Sequence, residues 1–212
     1  MYVLTADFEK PDAAEIFTRS LKETGFGVLK NHPVNYQLVK DVFNAWEDFF
    51  TLPDTEKNKF LFDKEIHDGF FPMNVSEIAK GNSVKDIKEY YHFYPWGRCP
   101  ESLREKSLQL FNEMTQLAMT LLGWVEQHTP EDIRKTFSMP LSQMIKDAPR
   151  TLLRILHYPP LKGTEEKGAI RAADHEDINL LTLLPAATAT GLQVKDVNNH
   201  WHEVESDPGT LV

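Results

Sequence analysis

The 212-residue chain predicts an α+β protein, and two observations carry that expectation. Over residues 6–147 apolar side chains recur mostly at helical spacing; after Arg150 the pattern breaks into short β-like runs bounded by turn residues. Composition fits one domain or most of one: 41% of residues are hydrophobic, 26% are charged, and 23 Lys and Arg stand against 32 Asp and Glu. The resulting net charge of −9 repels phosphate backbones and anionic lipid, so no nucleic-acid or membrane partner is expected. No apolar run approaches the roughly 18–20 residues that span a bilayer, and residues 1–10 lack a secretory signal pattern. A cytoplasmic location is therefore expected. The single cysteine, Cys99, excludes an intrachain disulfide and a cysteine-built zinc site. Any metal must be held by His, Asp or Glu.

The first helix is framed by Pro11, suited to a first turn, and Gly25, suited to the position after a C-cap; Ala13, Ile16, Phe17 and Leu21 form its apolar stripe. A short extended stretch over 26–30 follows and runs into the turn-like Asn31-His32-Pro33. Leu38, Val39, Val42, Phe43, Trp46, Phe49 and Phe50 then mark a second helix with a wide aromatic face, ending near Pro53. Periodicity fades over 60–95, where Gly69, Pro72 and Gly81 accompany an aromatic cluster of Tyr90, Tyr91, Phe93, Tyr94 and Trp96; this reads as loop with short strands. A long helix after Pro100 carries Leu103, Leu110, Phe111, Met114, Leu117, Ala118, Leu121, Leu122 and Val125. A shorter one starts at Thr129, with Pro130 at its first position and Glu131 and Asp132 complementing the helix dipole. Beyond Arg150, β-runs are expected over 151–158, 169–173, 179–184, 191–194, 200–204 and from Thr210 onward, a spacing that suggests a sandwich or barrel. The last run begins as a strand and stops, so the chain is expected to be a fragment or to need completion by something else.

The sharpest chemical feature is His175-Glu176-Asp177. In an extended segment residues i and i+2 point the same way, so the imidazole and the carboxylate converge on one cation while Glu176 faces away. With a third histidine from elsewhere, such a pair makes a facial site that leaves three coordination positions open. By spacing alone the motif is weak, and most His-x-Asp pairs bind nothing.

Its surroundings sharpen it. The run Thr151-Leu152-Leu153-Arg154-Ile155-Leu156-His157-Tyr158-Pro159-Pro160, then Arg171-Ala172-Ala173-Asp174-His175-Glu176-Asp177-Ile178-Asn179-Leu180-Leu181, then Gly191-Leu192-Gln193-Val194, resembles the isopenicillin-N-synthase-like branch of the non-haem Fe(II), 2-oxoglutarate-dependent oxygenases. The N-terminal half is similar to that family's helical leader in Gly25-Phe26-Gly27-Val28-Leu29-Lys30-Asn31-His32-Pro33-Val34, in Phe49-Phe50-Thr51-Leu52-Pro53 with Lys57, and in Asp86 through Tyr90 with Lys88-Glu89. The resemblance covers nearly the whole chain.

It implies a double-stranded β-helix, or jelly roll, with a helical leader over 1–147 and the first part of the β-helix over 148–212. It implies His175 and Asp177 as iron ligands, Fe(II) as the metal, 2-oxoglutarate as co-substrate and O2 as oxidant, acting on a small-molecule substrate by hydroxylation, desaturation or cyclisation. Tyr158 matches a tyrosine that binds a carboxylate of the co-substrate or substrate, although Leu156 stands where relatives often carry asparagine. Alternation puts Arg154 on the face of Tyr158, where it meets a substrate carboxylate. The family's distal histidine and its Arg-x-Ser are missing from the 35 residues after Asp177, which hold no arginine. His200 and His202 flank Trp201 there as weak replacement candidates. The expectation is therefore a C-terminally truncated oxygenase, with self-association through unfinished sheet edges; the alternative is a non-catalytic relative serving as a binding module.

Other residues carry plainer expectations. His157 is a surface or satisfied structural histidine, and His32 bonds the backbone of its own turn. The aromatic cluster lines a core or pocket, and Cys99 is an ordinary thiol. Lys80, Lys85 and Lys88, interspersed with Asp86 and Glu89, form a solvated charged face.

Overall fold

A computed structural model describes residues 3–75, 85–196, 198–204 and 207–212. Helices and small sheets alternate through the described chain, as an α+β reading requires. Their contacts group them into two compact units, one of residues 1–36, 112–148 and 179–212, the other of residues 37–111 and 149–178.

In the first unit, helix α1 (Ala13–Thr24) buries Ala13, Phe17 and Ser20 and ends where Gly25 turns left-handed at φ 77°, its N–H closing on the Leu21 carbonyl. That is the stop the sequence places there. Strands β1 (Thr5–Asp7) and β2 (Val28–Lys30) pair in parallel on either side of the helix in sequence. Ser20 ties the three together: its hydroxyl accepts the Leu4 N–H at 2.8 Å and donates to the Phe26 carbonyl at 2.7 Å. A fully buried hydroxyl is tolerated because both of its roles are satisfied. Gly27 sits so close to the Phe17 ring that an added Cβ would lie 3.1 Å from it.

Hairpin strands β6 (Gln193–Lys195) and β7 (Trp201–Glu203) also belong to this unit, and Val194 and Val204 pack with Val28 in one apolar cluster. Leu211 exchanges both backbone hydrogen bonds with Leu29, at 2.7 and 2.9 Å, and Val212 does the same with Leu184. The expected runs over 179–184 and from Thr210 therefore pair at single residues and do not form full strands.

The second unit is built on an antiparallel sheet of strands β3 (Gly69–Phe71), β4 (Glu89–Phe93) and β5 (Leu153–His157), with β4 in the middle. All five β4 residues are buried, so this strand is covered on both faces. Glu89 and Tyr91 point to one side and Tyr90 and His92 to the other, as strand alternation dictates. Helix α2 (Tyr36–Thr51) covers the first side with the aromatic face read from its sequence: Trp46 lies 4.6 Å and Phe49 5.6 Å from the Tyr91 ring, centroid to centroid. The buried Trp46 indole donates to Ser107 Oγ at 2.9 Å, on the opening part of the long helix α3 (Glu101–Gln127). Its closing part belongs to the first unit, where Phe8 and Phe17 pack against Trp124.

Two expectations need correction here. Residues 169–173 form no strand; Ile170 and Ala173 instead each make one hydrogen bond to the segment before β4, through the Ile87 N–H and the Asp86 carboxylate. Lys88 is not on a solvated face: it is 4% exposed, and its ammonium is 2.8 Å from the equally buried Asp86. Spacing hid this, because the two residues lead into a strand covered on both sides. Lys80 lies outside the described residues. A smaller shift concerns Pro130, which caps the short helix Glu131–Arg134 from the preceding position.

Candidate metal centre

All four residues singled out for the site, Arg154, Tyr158, His175 and Asp177, lie in the second unit. The His-x-Asp segment has no regular secondary structure, yet its two side chains converge: His175 Nε2 is 3.5 Å from Asp177 Oδ1. Two donor atoms each about 2.1 Å from one cation and about 90° apart, as in a six-coordinate facial site, would sit about 3.0 Å apart, so a closure of about half an ångström brings the pair to that spacing. The other imidazole nitrogen is already committed, since His175 Nδ1 lies 2.9 Å from the Ala173 carbonyl and must donate to it. That bond places the proton of the neutral ring on Nδ1 and turns Nε2 toward the carboxylate, the orientation typical of metal-ligating histidines. Both side chains are about half exposed, at 55% and 47%, so a cation and its further ligands can reach them. Among the described residues no third His, Cys, Asp or Glu completes a metal-holding group with them.

The backbone that carries His175 is held from below. Ala173 is buried, and its N–H donates to Asp86 Oδ1 at 3.1 Å, while Asp86 Oδ2 pairs with Lys88.

Strand β5 carries Arg154, and Tyr158 follows just beyond its end. Register sets Arg154 opposite His92 and Leu156 opposite Tyr90. Arg154 is organised in detail: its Nε donates to His92 Nε2 at 3.0 Å, and its guanidinium lies 5.0 Å from the Tyr90 ring centroid. His92 accepts there because its Nδ1 is occupied in donating to the His67 carbonyl at 2.9 Å. The Tyr158 phenol is pushed up by burial, and further by the Asp86 carboxylate, with Arg154 opposing. It is a neutral hydrogen-bond donor at physiological pH.

The opposite side of β4 holds a buried Lys57–Glu89 ion pair, joined by the partly exposed His157, that the sequence did not assign. Glu89 takes Lys57 Nζ at 3.0 Å and His157 Nδ1 at 2.8 Å, and the His157 ring stacks on Phe50. His157 is thus a satisfied structural histidine, as expected. Lys57 and Glu89 belong to the runs that carry the family resemblance, and here their part is structural.

His200 and His202 lie in the first unit, His200 in the turn between β6 and β7 and His202 within β7. Asp196, with a 5% exposed side chain, accepts from His202 at 3.0 Å and from the His200 and Asn198 amides. These bonds hold its carboxyl well below the usual range. They build the turn, and neither histidine joins a metal-holding group among the described residues. Cys99 is buried, which pushes its thiol up to about 12 and leaves it unreactive. His32 does not bond its own turn; both ring nitrogens are buried, and burial lowers its affinity for a proton. Among the described residues, no helix is long and apolar enough to cross a membrane.

Comparison with known proteins gives the family. Residues 3–116 match the family described as the N-terminal region of the non-haem dioxygenase in morphine synthesis. A solved structure from Shewanella oneidensis, named as an oxygenase, is 51% identical, superimposes with a TM-score of 0.87, and is matched over 100% of this chain and 74% of its own. A clavatol oxidase from Penicillium crustosum is 27% identical over 91% of this chain and 66% of its own length. A flavonol synthase/flavanone 3-hydroxylase from Matthiola incana is 24% identical over 99% and 72%. The chain thus spans about two thirds to three quarters of the length of these relatives. The fold is shared with a Neurospora crassa protein solved in complex with alpha-KG and thymine, at 21% identity over 99% of this chain and 72% of that one, with a TM-score of 0.78. The chain belongs to the non-haem dioxygenases that depend on Fe(II) and 2-oxoglutarate and consume O2.

Proposed function

We propose that this chain carries two of the iron ligands and part of the substrate-facing surface of an oxygenase that hydroxylates, desaturates or cyclises a small molecule. The observation that carries the reading is the convergence of His175 Nε2 and Asp177 Oδ1 at 3.5 Å, with His175 Nδ1 tied off on the backbone. In this reading residues 1–147 are the helical leader, and 148–212 contribute to the jelly-roll core that resembles the family's.

His175 and Asp177 would hold the iron, which together with 2-oxoglutarate supplies O2 activation coupled to loss of CO2 and formation of succinate. The protein's share is binding, orientation and exclusion of water. Tyr158 offers a neutral hydroxyl donor for a carboxylate of the co-substrate or substrate. Arg154 offers a guanidinium whose plane is set by Tyr90 and His92, so little side-chain entropy remains to be lost when it meets an anionic group. The substrate class favoured by that side chain is a small molecule bearing a carboxylate.

The test begins with Fe(II) and 2-oxoglutarate added anaerobically to the protein. A weak visible charge-transfer band is expected in the wild type and is expected to vanish in Asp177→Ala. No band in the wild type, while a control oxygenase shows one, would count against the reading. Arg154→Ala should keep the band yet raise KM about tenfold for a carboxylate substrate found by screening, the size of one partly exposed charged hydrogen bond. An unchanged KM would remove Arg154 from substrate binding.

A further inference from the structure

The segment that bears His175 has no helix and no strand to hold it, yet a metal ligand must be fixed to a fraction of an ångström. Something else must supply that rigidity. Two hydrogen bonds join it to residues just before β4: the Ile87 N–H to the Ile170 carbonyl at 2.8 Å, and the Ala173 N–H to Asp86 Oδ1 at 3.1 Å. Asp86 is itself locked by Lys88 at 2.8 Å, and the two side chains are 4% and 6% exposed. Ala173 is the residue whose carbonyl orients the His175 ring. The path from Lys88 through Asp86 and the two peptide groups that meet at the Ala173 Cα to His175 is therefore continuous.

We propose that the buried Asp86–Lys88 pair is a positioning device for the metal ligand His175, acting through the peptide groups of Ala173; this rests on the metal-binding reading above. A buried ion pair is costly to desolvate and is often matched in stability by apolar residues of similar size. Stability alone does not account for placing one here. What the pair contributes is an acceptor of fixed position for one amide. Lys88 stops Asp86 from rotating away, Asp86 holds the Ala173 N–H, and the carbonyl of the same residue sets the ring that presents Nε2.

The decisive experiment is Co(II) binding, read from its visible absorption, with melting curves taken on the same samples. Replacing both members, Asp86→Leu with Lys88→Met, removes the acceptor without leaving a buried charge alone. The affinity is expected to fall 10–100-fold, the range for groups that support a ligand from behind. Asp86→Asn with Lys88→Met keeps an oxygen acceptor for Ala173 and should recover most of the loss. His175→Ala serves as the reference for the metal site itself.

If the Leu/Met pair binds as wild type while His175→Ala does not, the positioning role is overturned and the metal site stands. If His175→Ala also binds as wild type, the metal reading and this inference fall together. Equal losses in the Leu/Met and Asn/Met proteins would likewise overturn it, because the restored acceptor would then be irrelevant. Should the Leu/Met protein not fold, amide exchange in the wild type decides. The Ala173 amide is expected to exchange far more slowly than those of Asp174 and Glu176, and an equal rate would overturn the role.

Discussion

His175→Ala is expected to lower the affinity for Mn(II) or Fe(II) by more than about 100-fold while leaving the melting temperature nearly unchanged. Losing one of two converging protein ligands should exceed the 10–100-fold cost of losing a supporting group. The imidazole is 55% exposed and its one hydrogen bond is local, to Ala173, so little packing goes with it. Calorimetric titration checks the first half and a thermal scan the second. A variant that still binds metal like the wild type would show that the His175–Asp177 contact is an ordinary surface pair.

Glu89→Ala should give the largest loss of stability among the polar variants, about 3 kcal/mol. It strips the partner from Lys57, whose side chain is 8% exposed, and from His157, which lies against Phe50. Removing one member of a buried pair leaves an uncompensated charge and typically costs about 3–5 kcal/mol. The lower end applies because Lys57 also reaches the exposed Asp54 at 3.2 Å. For a chain of this size that is a fall in Tm of roughly 6–12 °C. Glu89→Gln keeps one acceptor oxygen, enough for Lys57 or His157 but not for both, and should lose less. Lys57→Met with Glu89→Leu removes both charges and should recover part of the loss. A Glu89→Ala protein melting within about 2 °C of the wild type would mean that solvent already screens the triad.

The helices were legible because their burial is one-sided. The stripe from Ala13 to Leu21, the aromatic face from Leu38 to Phe50 and the long run from Leu103 to Val125 each match a helix of the structure. The β-runs after Arg150 were less so. Residues 153–157, 193–195 and 201–203 are strands, whereas 169–173 are fixed by single hydrogen bonds that no period-2 pattern encodes. In β4 every residue is buried, so the charges before and within it looked like surface. Their partners sit far along the chain, Lys57 with Glu89 and Asp86 with Ala173, and local spacing carries no trace of such pairs. The His-x-Asp pair stood out for the opposite reason: its geometry is local, and the surrounding runs that resemble the family raised a spacing that is weak by itself. Tyr158 was named from the family resemblance, and Arg154 from alternation ahead of it.

The most direct test of the metal site is a crystal structure of the protein soaked anaerobically with Mn(II) and 2-oxoglutarate, with anomalous scattering locating the metal. One peak is predicted within about 2.3 Å of both His175 Nε2 and Asp177 Oδ1, with His175 Nδ1 still on the Ala173 carbonyl. A metal bound elsewhere, or an imidazole flipped to present Nδ1, would contradict the account.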